Sequence, residues 1–298
     1  MAEDDSEEAY PPMYTSADKT SMAKQKAYFL TVKIELLLLV AVAIASALPW
    51  SDWQDATGRK SGAAIALTLL LGAIGSRIIR GVYKFEESWF KARALAESVK
   101  VEAWRYMMRA EPYQGKHAES RYVERLRQLV ASDEAVFGAL AEKPTPGLSQ
   151  ITSYMTGMRG RTVKERHSTY TSKRLTNQQE WYQHRGQDHS KSDKKWSAWG
   201  YAFEALAVVF AIVAILFAID LGLMGVLTTL AAAFAAWFQS KDFRRLAATY
   251  GVVAQDLTLI ATQDPKQASE ESLNRLVDEV ERTLSREHTF WLDRRLKH

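Results

Sequence analysis

The sequence predicts an all-α membrane protein: two tandem two-transmembrane hairpins whose helices extend into a cytoplasmic helical bundle. Three observations predict it. The 298 residues include only 15 Gly and 7 Pro, few breakers for that length. Four apolar runs long enough for a hydrocarbon layer are separated by charged stretches. One order of features, membrane hairpin, amphipathic helix, acid-Pro break and short amphipathic helix, occurs twice along the chain. Composition narrows the chemistry further. The absence of Cys excludes disulfides, thiolate nucleophiles, Cys-ligated zinc and iron–sulfur clusters. A 47% hydrophobic content excludes a disordered protein, and 25% charged residues exclude one lying wholly in lipid.

Residues 1–20 read as a disordered acidic tail. Glu3, Asp4, Asp5, Glu7, Glu8 and Asp18 precede the first basic residue, Lys19, which excludes a secretory signal peptide. The first unit, 21–142, holds two spans. One runs from Ala27 to Pro49, with Lys33 and Glu35 near one end; the other runs from Gly62 to Ile79, with Arg77 placed to snorkel. Beyond the second span Ala92, Ala96, Val99, Ala103 and Met107 recur at helical spacing, which predicts that the span continues unbroken as an amphipathic rod to Glu111-Pro112. Tyr122, Leu126, Leu129 and Val130 mark a short amphipathic helix after it.

The breaker cluster from Lys143 to Gly147 opens a linker, 143–160, read as a polar loop. The second unit, 161–298, begins with a basic helical stretch that runs into the third span, Trp199–Ile219. After Asp220 the fourth span follows from Leu221 to Phe238. Its predicted continuation carries Ala247, Tyr250, Ala254, Leu257 and Ala261 up to Asp264-Pro265, and the last helix carries Leu273, Leu276, Val277, Val280 and Leu284. Trp50 and Trp53, Trp196 and Trp199, and Trp237 and Phe238 stand at span ends as interfacial aromatics do.

Lys and Arg set the orientation. The two turns hold only Arg59 and Lys60, whereas Lys19, Lys24, Lys26, Arg80, Lys84, Lys194, Lys195 and Arg245 flank the other ends, so both termini are expected in the cytoplasm. A homo-oligomer in a lipid bilayer is expected, since four spans this apolar cannot enclose an aqueous path alone.

No phosphate-cradling loop, nucleophile elbow or zinc-binding helix motif is present, so no catalytic residue, cofactor or metal is expected and the chain reads as a non-enzyme. His184 and His189 are five residues apart, off the spacing of two ligands on one helical face. Charges inside the spans are the better candidates. Glu35 and Glu204 hold similar places in the two units. Either they pair within a hairpin, with Arg77 or Arg80 for the first and Lys241 or Arg244 for the second, or in an oligomer they form an acidic ring at a pore mouth. Thr68, Thr228 and Thr229 are mid-span hydroxyls able to line a polar path, or to bond back to their own helices. Between Arg159 and Lys195 ten basic side chains face four acidic ones. Arg159, Arg161, Lys164, Arg166, Lys173, Arg174, Lys191, Lys194 and Lys195 are candidate contacts for anionic lipid or a nucleotide, while nucleic acid is not expected beside a bilayer.

The stretch from Ala96 through Trp104 and Met107 to Tyr113, following a two-span hairpin, resembles the signature of SLATT domains, two-transmembrane effectors associated with SMODS and SLOG proteins. The stretch from Arg174 to Tyr182, leading into a tight hairpin, is similar to another subfamily of the same group. The resemblance implies a bacterial inner-membrane protein acting as a pore-forming effector in conflict or antiphage systems. Its trigger would be a nucleotide signal or a cytosolic sensor protein, because no sensor, synthase or TIR-like domain is expected on this chain. The competing reading is a non-conducting membrane scaffold that presents a helical bundle to a cytosolic partner.

Overall fold

The computed structural model describes residues 9–48, 56–131, 149–217, 222–264 and 268–295. Among them there is no strand. The helices are α1 (Pro12–Ala47), α2 (Ala56–Val82), α3 (Phe85–Met107), α4 (Ala118–Ala131), α5 (Ser153–Gly160), α6 (Val163–Tyr170), α7 (Asn177–Phe217), α8 (Gly222–Lys241), α9 (Phe243–Gln263) and α10 (Glu270–Arg295). A π-helical turn, Thr171–Thr176, joins α6 to α7. Two compact units result, each drawn from both halves of the sequence.

One unit, residues 26–85 and 188–246, is apolar. Within it α1 and α2 approach closely where Gly72 faces Leu38; a Cβ at Gly72 would stand 3.3 Å from Leu38 Cδ1. Ser76 Oγ donates to Thr31 O across the same contact at 2.9 Å, and Ala45 and Ala73 are buried in this unit. In the second hairpin Trp196 and Phe203 pack on Phe234, with ring centroids 5.2 and 5.4 Å apart. Phe29 meets Trp237 at 6.0 Å and so ties the two hairpins together. The large apolar side chains mostly point outward: Leu37 and Leu71 are 59% exposed and Ile215 is 81% exposed. Burying that surface in water-free surroundings requires lipid. Among the described residues four helices are long and apolar enough to cross a membrane, and the protein is an all-α membrane protein.

The other unit, residues 1–25, 86–187 and 247–298, has a conventional core with a polar surface. Its α3 buries Ala92, Ala96, Val99, Ala103 and Met107, the stripe expected from the spacing. In α9 the buried face is Tyr250, Val253, Ala254, Leu257 and Ile260, so Ile260 takes the place expected of the half-buried Ala261. All five apolar residues expected in the last helix are buried in α10. Gly186 of α7 lies against α9; a Cβ there would stand 3.5 Å from Gly251 N and 3.6 Å from Ala247 O.

Several expectations are corrected. The second and fourth spans do not run unbroken into rods: Lys84 and Asp242 take left-handed backbone conformations, φ 43° and 51°, and end α2 and α8. A single residue in that region stops the helical hydrogen-bond ladder, and the chain restarts at Phe85 and Phe243. The uninterrupted helices are α1 and α7, of 36 and 41 residues. Residues Ser153–Gly160, read as loop, form α5, because Thr152 caps Met155 N and Met155 and Met158 find places in the core. Helix α1 starts at Pro12 and buries Ala17 completely, inside the stretch read as a disordered tail. Trp50, Trp53, the breaker cluster 143–147, Asp220 and Pro265 lie outside the described residues.

Candidate functional site

The charges of the apolar unit separate into paired and unpaired groups. Arg80 Nη2 lies 2.6 Å from Glu35 Oε2, with the side chains 22% and 15% exposed. Of the two partners considered for Glu35, the structure selects Arg80; Arg77 is exposed one turn away. The second carboxylate differs. Glu204 is exposed and makes no ion pair among the described residues. Its expected partners are taken: Lys241 Nζ sits 3.4 Å from the Phe29 ring centroid and 4.8 Å from that of Trp237, while Arg244 Nε lies 3.4 Å from Asp193 Oδ2. The pairing of Glu204 with Lys241 or Arg244 is therefore corrected: an aromatic cage and a nearer carboxylate outcompete it. All three mid-span hydroxyls bond back to their own helices, Thr68 to Ala64 O at 2.8 Å, Thr228 to Met224 O at 3.0 Å and Thr229 to Gly225 O at 2.8 Å.

The basic stretch also divides. Arg161, Lys164, Lys173, Lys191, Lys194 and Lys195 are exposed. Arg166 and Arg174 are 1% exposed, and Arg159 is partly buried, so none of the three is a surface contact. Arg159 donates to Tyr106 O and Tyr113 O, both at 2.7 Å, and stacks over the Tyr106 ring. Arg166 donates to Met108 O at 2.5 Å and pairs with Glu270. Together they satisfy carbonyls at and just beyond the C-terminus of α3, where a helix offers unpaired oxygens and negative potential. Arg174, on the π-turn, forks onto Glu281 at 2.9 and 2.7 Å, and Tyr170 Oη donates to the same carboxylate at 2.9 Å. The expectation that Arg159, Arg166 and Arg174 meet an external anion is corrected, because internal acceptors occupy them. Of the two histidines considered, His184 is exposed and His189 packs against Phe243 at 5.8 Å.

Two family models cover nearly all of this arrangement. SMODS and SLOG-associating 2TM effector domain 3 matches residues 11–167, and domain 1 of the same name matches residues 170–291. The chain is a tandem SLATT protein. No curated protein and no solved structure matches it. The membrane hairpins and effector class expected from the residue resemblance are thereby established, with the matched regions meeting at residues 168–169.

The SLATT chain holds further buried polar groups that residue patterns did not single out. Glu102 accepts from Tyr113 Oη at 2.5 Å and from Arg125 Nε at 3.1 Å. The rings of Tyr106, Tyr113 and Tyr122 pack on one another, 5.1 to 6.1 Å between centroids. Burial, with Glu102 second, pushes the Tyr113 and Tyr122 phenols far above their ordinary range. Burial likewise lowers Arg159 from its usual value. Tyr122 Oη is buried and has no hydrogen-bond partner among the described residues. His167 Nε2 meets Asp264 Oδ1 at 2.9 Å. Glu281 was legible in one respect: it stands four residues after Val277 and three before Leu284, on the apolar stripe of α10, where a carboxylate demands a buried partner. The π-turn that delivers that partner has no comparable signal.

Proposed function

We propose that the protein is an oligomeric pore-forming effector of a bacterial inner membrane, with both termini and the polar unit in the cytoplasm. Glu204 carries this reading. An ionised side chain in the hydrocarbon costs roughly 2.5–3.5 kcal/mol at the centre and persists with a partner, a wet cavity or a nearby interface. Glu35 has Arg80; Glu204 has no ion pair among the described residues of its own chain. Its place is a hydrated lumen formed with other copies, where it favours cations. The trigger is a nucleotide signal or a sensor protein acting on the polar unit, for which Arg161, Lys164 and Lys173 supply exposed positive charge. The unbroken helices α1 and α7 carry such an input, since each contributes residues to both units. No chemical step is assigned to the protein.

Flux from liposomes holding the purified protein, with and without cyclic and linear nucleotides, tests the reading. Glu204→Gln is expected to lower the preference for cations over anions, read as a shift in reversal potential, and Glu35→Gln to leave it unchanged. Unaltered selectivity in Glu204→Gln removes that residue from the pore. A second reading, a non-conducting scaffold, is favoured by one observation: the hydroxyls of Thr68, Thr228 and Thr229 are turned back on their own helices, which leaves the spans little polar lining. Absence of flux from folded, oligomeric protein under every condition supports the scaffold.

A further inference from the structure

Helix α9 has two unlike sides. One is buried in the core of the polar unit through Tyr250, Val253, Ala254, Leu257 and Ile260. On the other, Ala248, Val252, Gln255, Leu259 and Thr262 are all exposed, with Val252 at 60% and Leu259 at 56%. These five are spaced by four, three, four and three residues, the alternation that sets a continuous seam along a helix. None is charged. Between Arg245 and Asp264 the sole charged side chain is that of Asp256. The exposed side of α10 in the same unit is of the usual kind, with Glu271, Arg275, Glu279 and Arg282.

We propose that this side of α9 is a self-association seam, in which α9 of one copy packs in parallel against α9 of another. The occupant follows from charge. Two copies of this face packed in parallel bring each residue near its own counterpart. A seam holding charge of one sign would repel itself; this seam holds none, and of its flanks Gly251, Asp256, Thr258 and Gln263 only the half-buried Asp256 is charged. Ala248 and Gly251 admit close backbone approach, while Val252 and Leu259 supply the apolar area a water-exposed helix gains by association. The inference rests on the oligomeric reading above and assigns it a surface.

The absence of native cysteine makes the test clean. Single substitutions Val252→Cys and Leu259→Cys are made in the full chain, with Glu279→Cys on α10 as the comparison, and membranes are treated with a mild oxidant. The seam predicts a cross-linked dimer band for the first two and a monomer band for the third. Equal cross-linking of all three, or none at Val252 and Leu259, overturns the proposal. Val252→Glu is expected to lower the assembly's mass in detergent while helicity by circular dichroism is retained; unchanged mass also overturns it, and leaves a different protein as the partner of this face. Flux is read separately. Cross-linking without flux keeps the seam and defeats the pore, whereas flux without seam cross-links defeats the seam alone.

Discussion

Tyr113 and Tyr122 share the same aromatic cluster beside Glu102 yet stand in opposite hydrogen-bonding positions. Tyr113 donates to Glu102, while the buried Tyr122 hydroxyl has no hydrogen-bond partner among the described residues. Removing a satisfied donor strips a buried carboxylate of a bond, whereas removing an orphan removes a desolvation penalty. Tyr122→Phe is therefore expected to be neutral or stabilising, and Tyr113→Phe to cost about 1–3 kcal/mol, checked by urea unfolding in detergent. The cluster also sets an alkaline limit. Both phenols are raised in the folded protein, so their contribution is fully present below the ordinary tyrosine value near pH 10. It is lost as pH rises above that value, because the unfolded chain releases protons that the folded one retains. Melting temperature should fall steeply above about pH 10, and Tyr113→Phe/Tyr122→Phe should flatten that fall.

At the scale of elements, the π-turn Thr171–Thr176 aims Arg174 into the core toward Glu281. Breaking such a buried pair from one side leaves an uncompensated charge, so Arg174→Met is expected to destabilise by about 3–5 kcal/mol. Arg174→Met combined with Glu281→Leu should recover part of the loss, as measured in the same unfolding series, the remainder persisting because the buried Tyr170 hydroxyl loses its acceptor. The contact of α7 with α9 at Gly186 gives a graded test. A methyl there meets ordinary van der Waals distances, so Gly186→Ala should be tolerated, while Gly186→Leu must push the helices apart and lower the melting temperature by several degrees or more. The spans themselves were readable because an uninterrupted apolar run has few other solutions, and the stripes of α3 and α10 because their period matches the helix. The breaks at Lys84 and Asp242 were not. Neither residue is Gly, and a non-Gly residue in the left-handed region is set by its surroundings rather than by its type. The buried arginines escaped for a related reason. Helical spacing places a charge on a face, but only the packing of α3 and α10 decides that Arg166 and Arg174 meet Met108 O and Glu281.

Across the whole molecule, the tandem repeat and the compact units do not coincide. The family matches divide the chain at residues 168–169, yet Trp104 from the first packs edge-on against Tyr170 from the second at 5.6 Å, and Arg166 from the first pairs with Glu270 from the second. Arg105 and Asp278 likewise join across the division at 3.1 Å. Expressed singly, residues 1–168 and 169–298 should each fail to give a cooperative melt, and co-expression should restore one, as judged by co-purification and calorimetry. Two SLATT domains in one chain would ordinarily suggest a spare, with either copy able to drift while its twin keeps working. The interlocking of these two removes that freedom. Damage to one repeat strips the core of the other, so the duplication confers no redundancy, and the pair must be inherited, folded and lost as a single part.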